Sequence, residues 1–122
     1  MALNRGNLGF TSQVSAATTG MCYTVGSAQT AFIKGILLYN IDPSSTQNVK
    51  LHVVPNNSGA VGLATSTTQI ARIGLGTDDT YFFEPAYPIT LGSNGDSFQV
   101  QCEGTAANSV NVLLLGDKEV SV

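Results

Sequence analysis

The sequence predicts an all-β protein: two antiparallel sheets packed as a jelly-roll-like β-sandwich of about eight strands, with an extended N-terminal arm. Three observations predict it. Residues 30–55 spell out a long apolar strand, a Pro-containing turn and a second, half-wet strand. Residues 97–103 alternate cleanly, with Phe98, Val100 and Cys102 opposed to Ser97, Gln99, Gln101 and Glu103. Turn signals recur about every 8 to 15 residues, and no 3.6-residue apolar period runs long enough for a helix.

Along the chain, residues 1–15 read as the arm and 16–122 as a single sandwich domain. The arm is rich in Asn and Gly but carries Leu3, Leu8 and Phe10, which no periodic element there can bury. Three fates are open to it: docking on its own sandwich, docking on a neighbour, or remaining a free tail. Residues 14–25 predict a strand pair or bent strand broken at Gly20, with Met21, Tyr23 and Val25 inward. In 32–41 apolar side chains fill both alternating sets, Ile33, Leu37, Tyr39 and Ile41 against Phe32, Ile36 and Leu38. Such a strand is expected to be covered on both sides.

The turn Asp42-Pro43-Ser44-Ser45 ends it, since Pro43 fixes its own φ and pushes Asp42 out of helical space. Val49, Leu51 and Val53 then face inward while Lys50 and His52 face water. Asn56-Asn57-Ser58-Gly59 is a turn and 60–66 a loop. A strand at 67–75 carries Ile73 and Leu75 on one parity and Ile70 with Arg72 on the other. Residues 80–84 bring the aromatic cluster Tyr81, Phe82 and Phe83, and Pro85 and Pro88 suggest an edge position or an extended connection. Ile89 and Leu91 precede the turn Gly92-Ser93-Asn94-Gly95 and the alternating strand 97–103. The last strand, 108–115, again carries apolar residues on both parities, and Gly116-Asp117-Lys118 leads into a short tail.

Composition narrows the function classes. The charged fraction is 11% and the net charge −3, while thirteen Thr, eleven Ser, nine Asn and six Gln supply the polar surface. Neutral polar groups are cheaper to desolvate than charges, which suits a surface partly covered by neighbours. The five basic residues, Arg5, Lys34, Lys50, Arg72 and Lys118, are scattered, so no stripe exists for phosphates and no nucleic-acid partner is expected. No run approaches the roughly 18 continuous apolar residues of a membrane helix, and MALNRGNLGF lacks the apolar core of a signal peptide. No membrane partner is expected, and synthesis in the cytoplasm is.

Nothing in the chain reads as a catalytic or metal constellation, and no cofactor is expected. His52 is the only histidine, so a zinc site lacks ligands, and its simplest place is the wet face beside Lys50. Asp78-Asp79 with Glu84 matches no calcium loop and reads as an acidic turn. Glu84 with Glu103 or Asp96 is the nearest thing to an acid–base pair, with no argument for burial or a partner. Cys22 and Cys102 could form one bridge, but two free buried thiols suit a reducing compartment better.

A family resemblance enters through strand patterns. Tyr23-Thr24-Val25, Ala31-Phe32-Ile33-Lys34-Gly35-Ile36 with Asn40, and Val49-x-Leu51-x-Val53-Val54-Pro55 come first. Pro88-Ile89-Thr90-Leu91, Asp96-Ser97-Phe98-Gln99-Val100 and Ser109-Val110-Asn111-Val112 follow. This order, over roughly 23–116, resembles small β-sandwich structural proteins of tailed bacteriophages. The resemblance implies a non-enzymatic virion protein: a capsid decoration or cement protein that binds the major capsid protein lattice on the capsid exterior as a homotrimer. The alternative it implies is a tail, baseplate or head-fibre component. From another class, a carbohydrate-binding module would use Tyr81, Phe82, Phe83 or Tyr87 as stacking faces. Candidate contacts to a capsid or a sister subunit are Leu3, Leu8, Phe10, Phe32, Ile36, Leu38, Tyr81 and Phe83.

Overall fold

The computed structural model describes residues 2–9, 11–14, 19–103 and 110–120. Among the described residues ten strands run in the order β1 (Ala2–Asn7), β2 (Ser12–Val14), β3 (Thr19–Thr24), β4 (Gln29–Asn40), β5 (Gln47–Val54), β6 (Gln69–Leu75), β7 (Thr80–Phe83), β8 (Ile89–Leu91), β9 (Ser97–Glu103) and β10 (Val110–Val120). All pairings are antiparallel. In sheet A, β10 and β4 are central; β1 and β2 share the flank of β10, and β7 and β8 share the flank of β4. Sheet B has the order β3-β9-β5-β6. With each broken edge counted as one lane, two four-lane sheets face each other and the chain repeatedly crosses between them, as in a jelly roll. The predicted fold class is the observed one.

The core lies between the sheets. Val49 and Leu51 of β5, Leu75 of β6 and Phe98, Val100 and Cys102 of β9 meet Ala31, Ile33, Ile36 and Leu38 of β4 and Val110 and Val112 of β10, each 1% exposed or less. In β9 the inward set Phe98, Val100 and Cys102 is buried as predicted. On the face expected to be wet, Ser97 and Gln99 are buried too, 0% and 6% exposed, with Gln99 Nε2 donating to the Gly62 carbonyl of the β5–β6 connection. In β6, Ile73 and Leu75 face the core.

Strand β4 corrects the expectation of a strand covered on both sides. Leu115 pairs with Gly35 but Gly116 pairs with Ile33, so Lys34 is an extra, bulged residue. A bulge advances the chain by one residue and reverses which parity faces inward. Ala31 and Ile33 therefore enter the core before it, and Ile36 and Leu38 after it. Phe32, Leu37 and Tyr39 are left half-exposed on the outer face. Gly116 is required here, because a Cβ on it would lie 1.9 Å from the carbonyl oxygen of Phe32.

That close approach also explains why Gly116-Asp117-Lys118 is no turn. β10 continues straight through to Val120, paired with β1 on one side and β4 on the other. The arm takes the first of its three fates. Ala2–Asn7 forms an edge strand on β10, Ser12–Val14 pairs further along it, and Leu8 is buried in the core. The predicted break at Gly20 is absent, because Gly20 lies within β3. Phe10 lies outside the described residues, as do 15–18.

Candidate interaction surface

The outer face of sheet A is built from cross-strand rows, because residues paired in antiparallel register project to the same side. One row joins Gln13, Asn111, Tyr39 and Thr80, with the Gln13 amide donating to Asn111 Oδ1 at 3.0 Å. The next joins Leu113, Leu37 and Phe82. The third joins Asn7, Leu115 and Gly35. Beyond the bulge, Arg5, Asp117, Phe32 and Thr90 form another. An apolar centre thus lies between a neutral polar row and a charged one.

Phe82 is the most exposed member of that centre, at 48%. Its ring rests over Gly35, where an added Cβ would meet Cε1 and Cζ at 2.7 Å. Beside it, where the Pro85–Pro88 connection parts β7 from β8, opens a concavity of about 430 Å³. Gly35, Phe82, Leu115, Pro85 and Pro88 line it, together with Lys34 and Glu84. The charges of this face are largely engaged with each other: Asp117 is 2.5 Å from Lys34 Nζ and 3.9 Å from Arg5 Nε. Its side chain is 11% exposed.

The predicted contact residues divide. Ile36 and Leu38 are 0% exposed in the single chain and belong to the core, which corrects their assignment to a seam between chains. Leu8 is likewise in the core, and Phe83, opposite Ile36, packs against it. Tyr81, opposite Leu38, has inward parity but sits at the sheet edge, 43% exposed. Leu3 is 48% exposed on β1, and Phe32 is half-exposed on the outer face. Leu37, Phe82, Leu113 and Leu115 were not among the predicted contacts. The both-parity pattern of 108–115 held the signal for the two β10 leucines, whereas Leu37 could be assigned only once the bulge was known.

The outer face of sheet B is different. Glu103 binds Lys50 Nζ at 2.9 Å and Arg72 through Nη2 at 2.9 Å and Nε at 3.1 Å. Hydrogen bonds from Arg72, then Lys50, hold its carboxyl below the usual range. Glu103 ends β9 of sheet B, whereas Glu84 directly follows β7 of sheet A. His52 is a second correction: it is 2% exposed, because the β5–β6 connection folds over it. Asp78 and Asp79 form the β6–β7 turn, the Asp79 carboxylate accepting from the Gly76 amide at 3.0 Å. Among the described residues no three His, Cys, Asp or Glu side chains gather as metal ligands. Cys22 and Cys102 are not bridged, and Cys102 donates its thiol to Gln47 Oε1 at 3.3 Å. No helix of the described residues is long and apolar enough to cross a membrane.

No protein-family model matches the chain, and no curated protein does. Among solved structures, a chain of the T13 IBDV viral particle is similar with a TM-score of 0.48 and 7% identity. The likeness spans 99% of this chain and 36% of that one, so this chain covers about a third of its length.

Proposed function

We propose that this chain is a non-enzymatic structural protein of a tailed-phage virion, which decorates the head lattice as a trimer through the outer face of sheet A. The observation that carries the reading is the apolar centre of Leu37, Phe82, Leu113 and Leu115 on a sheet face that no element of the described chain covers. Its surroundings are neutral amides and hydroxyls or charges already paired, so covering it desolvates few free ions. The strand patterns shared with phage β-sandwich proteins point the same way. A ligand that binds the assembled lattice and not its loose subunits stabilises the lattice by mass action. A trimer multiplies a modest contact through avidity.

The test is the copy number in purified particles, measured by quantitative mass spectrometry. Hundreds of copies per particle support a decoration protein; tens of copies support a tail, baseplate or head-fibre component instead. Absence from particles overturns the virion reading.

A further inference from the structure

We propose that His52 is an acid-sensitive latch, which holds the second half of the β5–β6 connection closed over the outer face of sheet B. The Thr68 hydroxyl donates its one proton to the Thr65 carbonyl at 3.0 Å and accepts from the Thr65 amide at 2.9 Å. Its remaining contact, 2.9 Å to His52 Nδ1, must therefore be donated by the ring. That assigns the neutral tautomer with the proton on Nδ1 and leaves Nε2 as a bare lone pair. Nε2 is buried without a hydrogen-bond partner.

Protonation would add a charged N–H at Nε2, where only the uncharged Gln101 side chain and the Thr65 backbone offer partial compensation, and burying a charge so poorly compensated is unfavourable. The surroundings do not supply a counter-charge. From β5 the nearby ion is Lys50; from β6 it is Arg72, opposite Lys50. From β9, Gln99 and Gln101 are uncharged, and Glu103, opposite Asn48, is held by Lys50 and Arg72. Thr65 and Thr68 of the connection are uncharged. Burial pushes the imidazole below its ordinary value and Lys50 adds to this; the Gln101 side chain and Thr65 backbone oppose the shift without offsetting it.

The least disruptive way for a protonated His52 to reach water is to release the strap above it. The first half of the connection is anchored separately, since Asn56 donates to Asp96 through its backbone at 2.8 Å and its side chain at 2.9 Å. Opening is therefore confined to 61–68. It breaks the bond from Gln99 Nε2 to the Gly62 carbonyl (3.1 Å) and uncovers Ser97 and Gln99, which are 0% and 6% exposed when closed.

Hydrogen exchange read by mass spectrometry at pH 7.5 and 4.5, corrected for intrinsic rates, tests this on the full chain. Protection of 61–68 should fall by up to about tenfold per pH unit below ~6.5 until the native ring titrates, while β9 stays protected. In His52→Asn, whose amide can replace the Nδ1 donor but cannot titrate, the pH dependence should vanish. An unchanged wild-type strap overturns the latch, as does equal acid sensitivity in His52→Asn. Should that variant be open at both pH values, the NMR titration of the wild-type ring decides: a midpoint at or above the ordinary histidine value overturns the proposal.

Discussion

The side-chain amide of Asn40, at the end of β4 in sheet A, donates to the backbone carbonyl of Gly76, 2.9 Å away at the end of β6 in sheet B. The same nitrogen lies 3.2 Å from the Leu75 carbonyl and 3.0 Å from that of Ser45, and Oδ1 accepts from the Asp42 amide at 2.9 Å. Asn40 is 0% exposed. One buried amide thus ties the two sheets and the β4–β5 turn together.

Replacing Asn40 by Leu leaves these carbonyls and the Asp42 amide without their partner. A loss of about 2–3 kcal/mol in urea unfolding is expected. Asn40→Asp should be worse at neutral pH, since it aims a carboxylate oxygen at three carbonyls, and should recover partly in acid. An Asn40→Asp variant as stable as wild type at pH 7 would contradict the donor assignment.

Gly116→Ala should destabilise by at least about 3 kcal/mol or abolish folding, because the new methyl meets backbone that a bulge has already fixed. Gly92→Ala, with nothing within 4 Å of its Cβ position, is the matched control and should stay within about 0.5 kcal/mol of wild type. Thermal unfolding of the pair checks both.

Phe82→Ser and Leu113→Ser change the apolar centre of sheet A without touching the core. The fold should survive, with near-native circular dichroism, while co-sedimentation with particles falls by about tenfold or more, as expected when a central contact is removed. Tight particle binding by the double variant would exclude this face as the contact surface.

Acid stability has a separate origin at Asp96. Partial burial alone would raise its carboxyl, but hydrogen bonds from the Asn56 side chain and backbone, and from Ser93 and Gly92, outweigh burial and hold it below the usual range. A carboxyl with a depressed native value stabilises the fold above its unfolded value, near 3.9, and loses that contribution as pH falls through the native value. Asp96→Asn should flatten the stability–pH curve below about pH 4. It should leave unchanged the acid response that sets in through His52 below the ordinary histidine value.

Burial pushes the Cys22 thiol up to about 12. With the native value above the unfolded one, its contribution is complete below about pH 9 and is lost as pH rises towards 12. A thiol-specific reagent at pH 8 should therefore leave Cys22 unmodified in the folded protein and label it rapidly in denaturant.

Much of this fold was legible, and each error has a local physical cause. The period-2 pattern of Phe98, Val100 and Cys102 survives intact because β9 is paired on both sides without a break in register against β5. At Lys34 a single bulged residue moves the side chains after it across the sheet, and no residue type announces it. An unbroken period of two therefore puts Ile36 and Leu38 on the face of Phe32. His52 does share the outer face of sheet B with Lys50; its burial comes from a connection folded back over that face, and loop trajectories leave no periodic trace. The outer-face centre was half visible as surplus leucines in 108–115, but only register against β4 and β7 could join them to Leu37 and Phe82.

The halving of both flanks of sheet A into β1 with β2 and β7 with β8 has a further effect on behaviour in a crowd. In sheet B the flanking strands β3 and β6 each carry a register irregularity against their neighbours. A second copy sliding alongside therefore meets at most a short run of unspent amide and carbonyl groups before the pattern breaks, and cannot zip on as an extra strand. Copies packed at high local density are steered to meet face to face, through side chains, where shape can discriminate, instead of edge to edge, where any backbone would do.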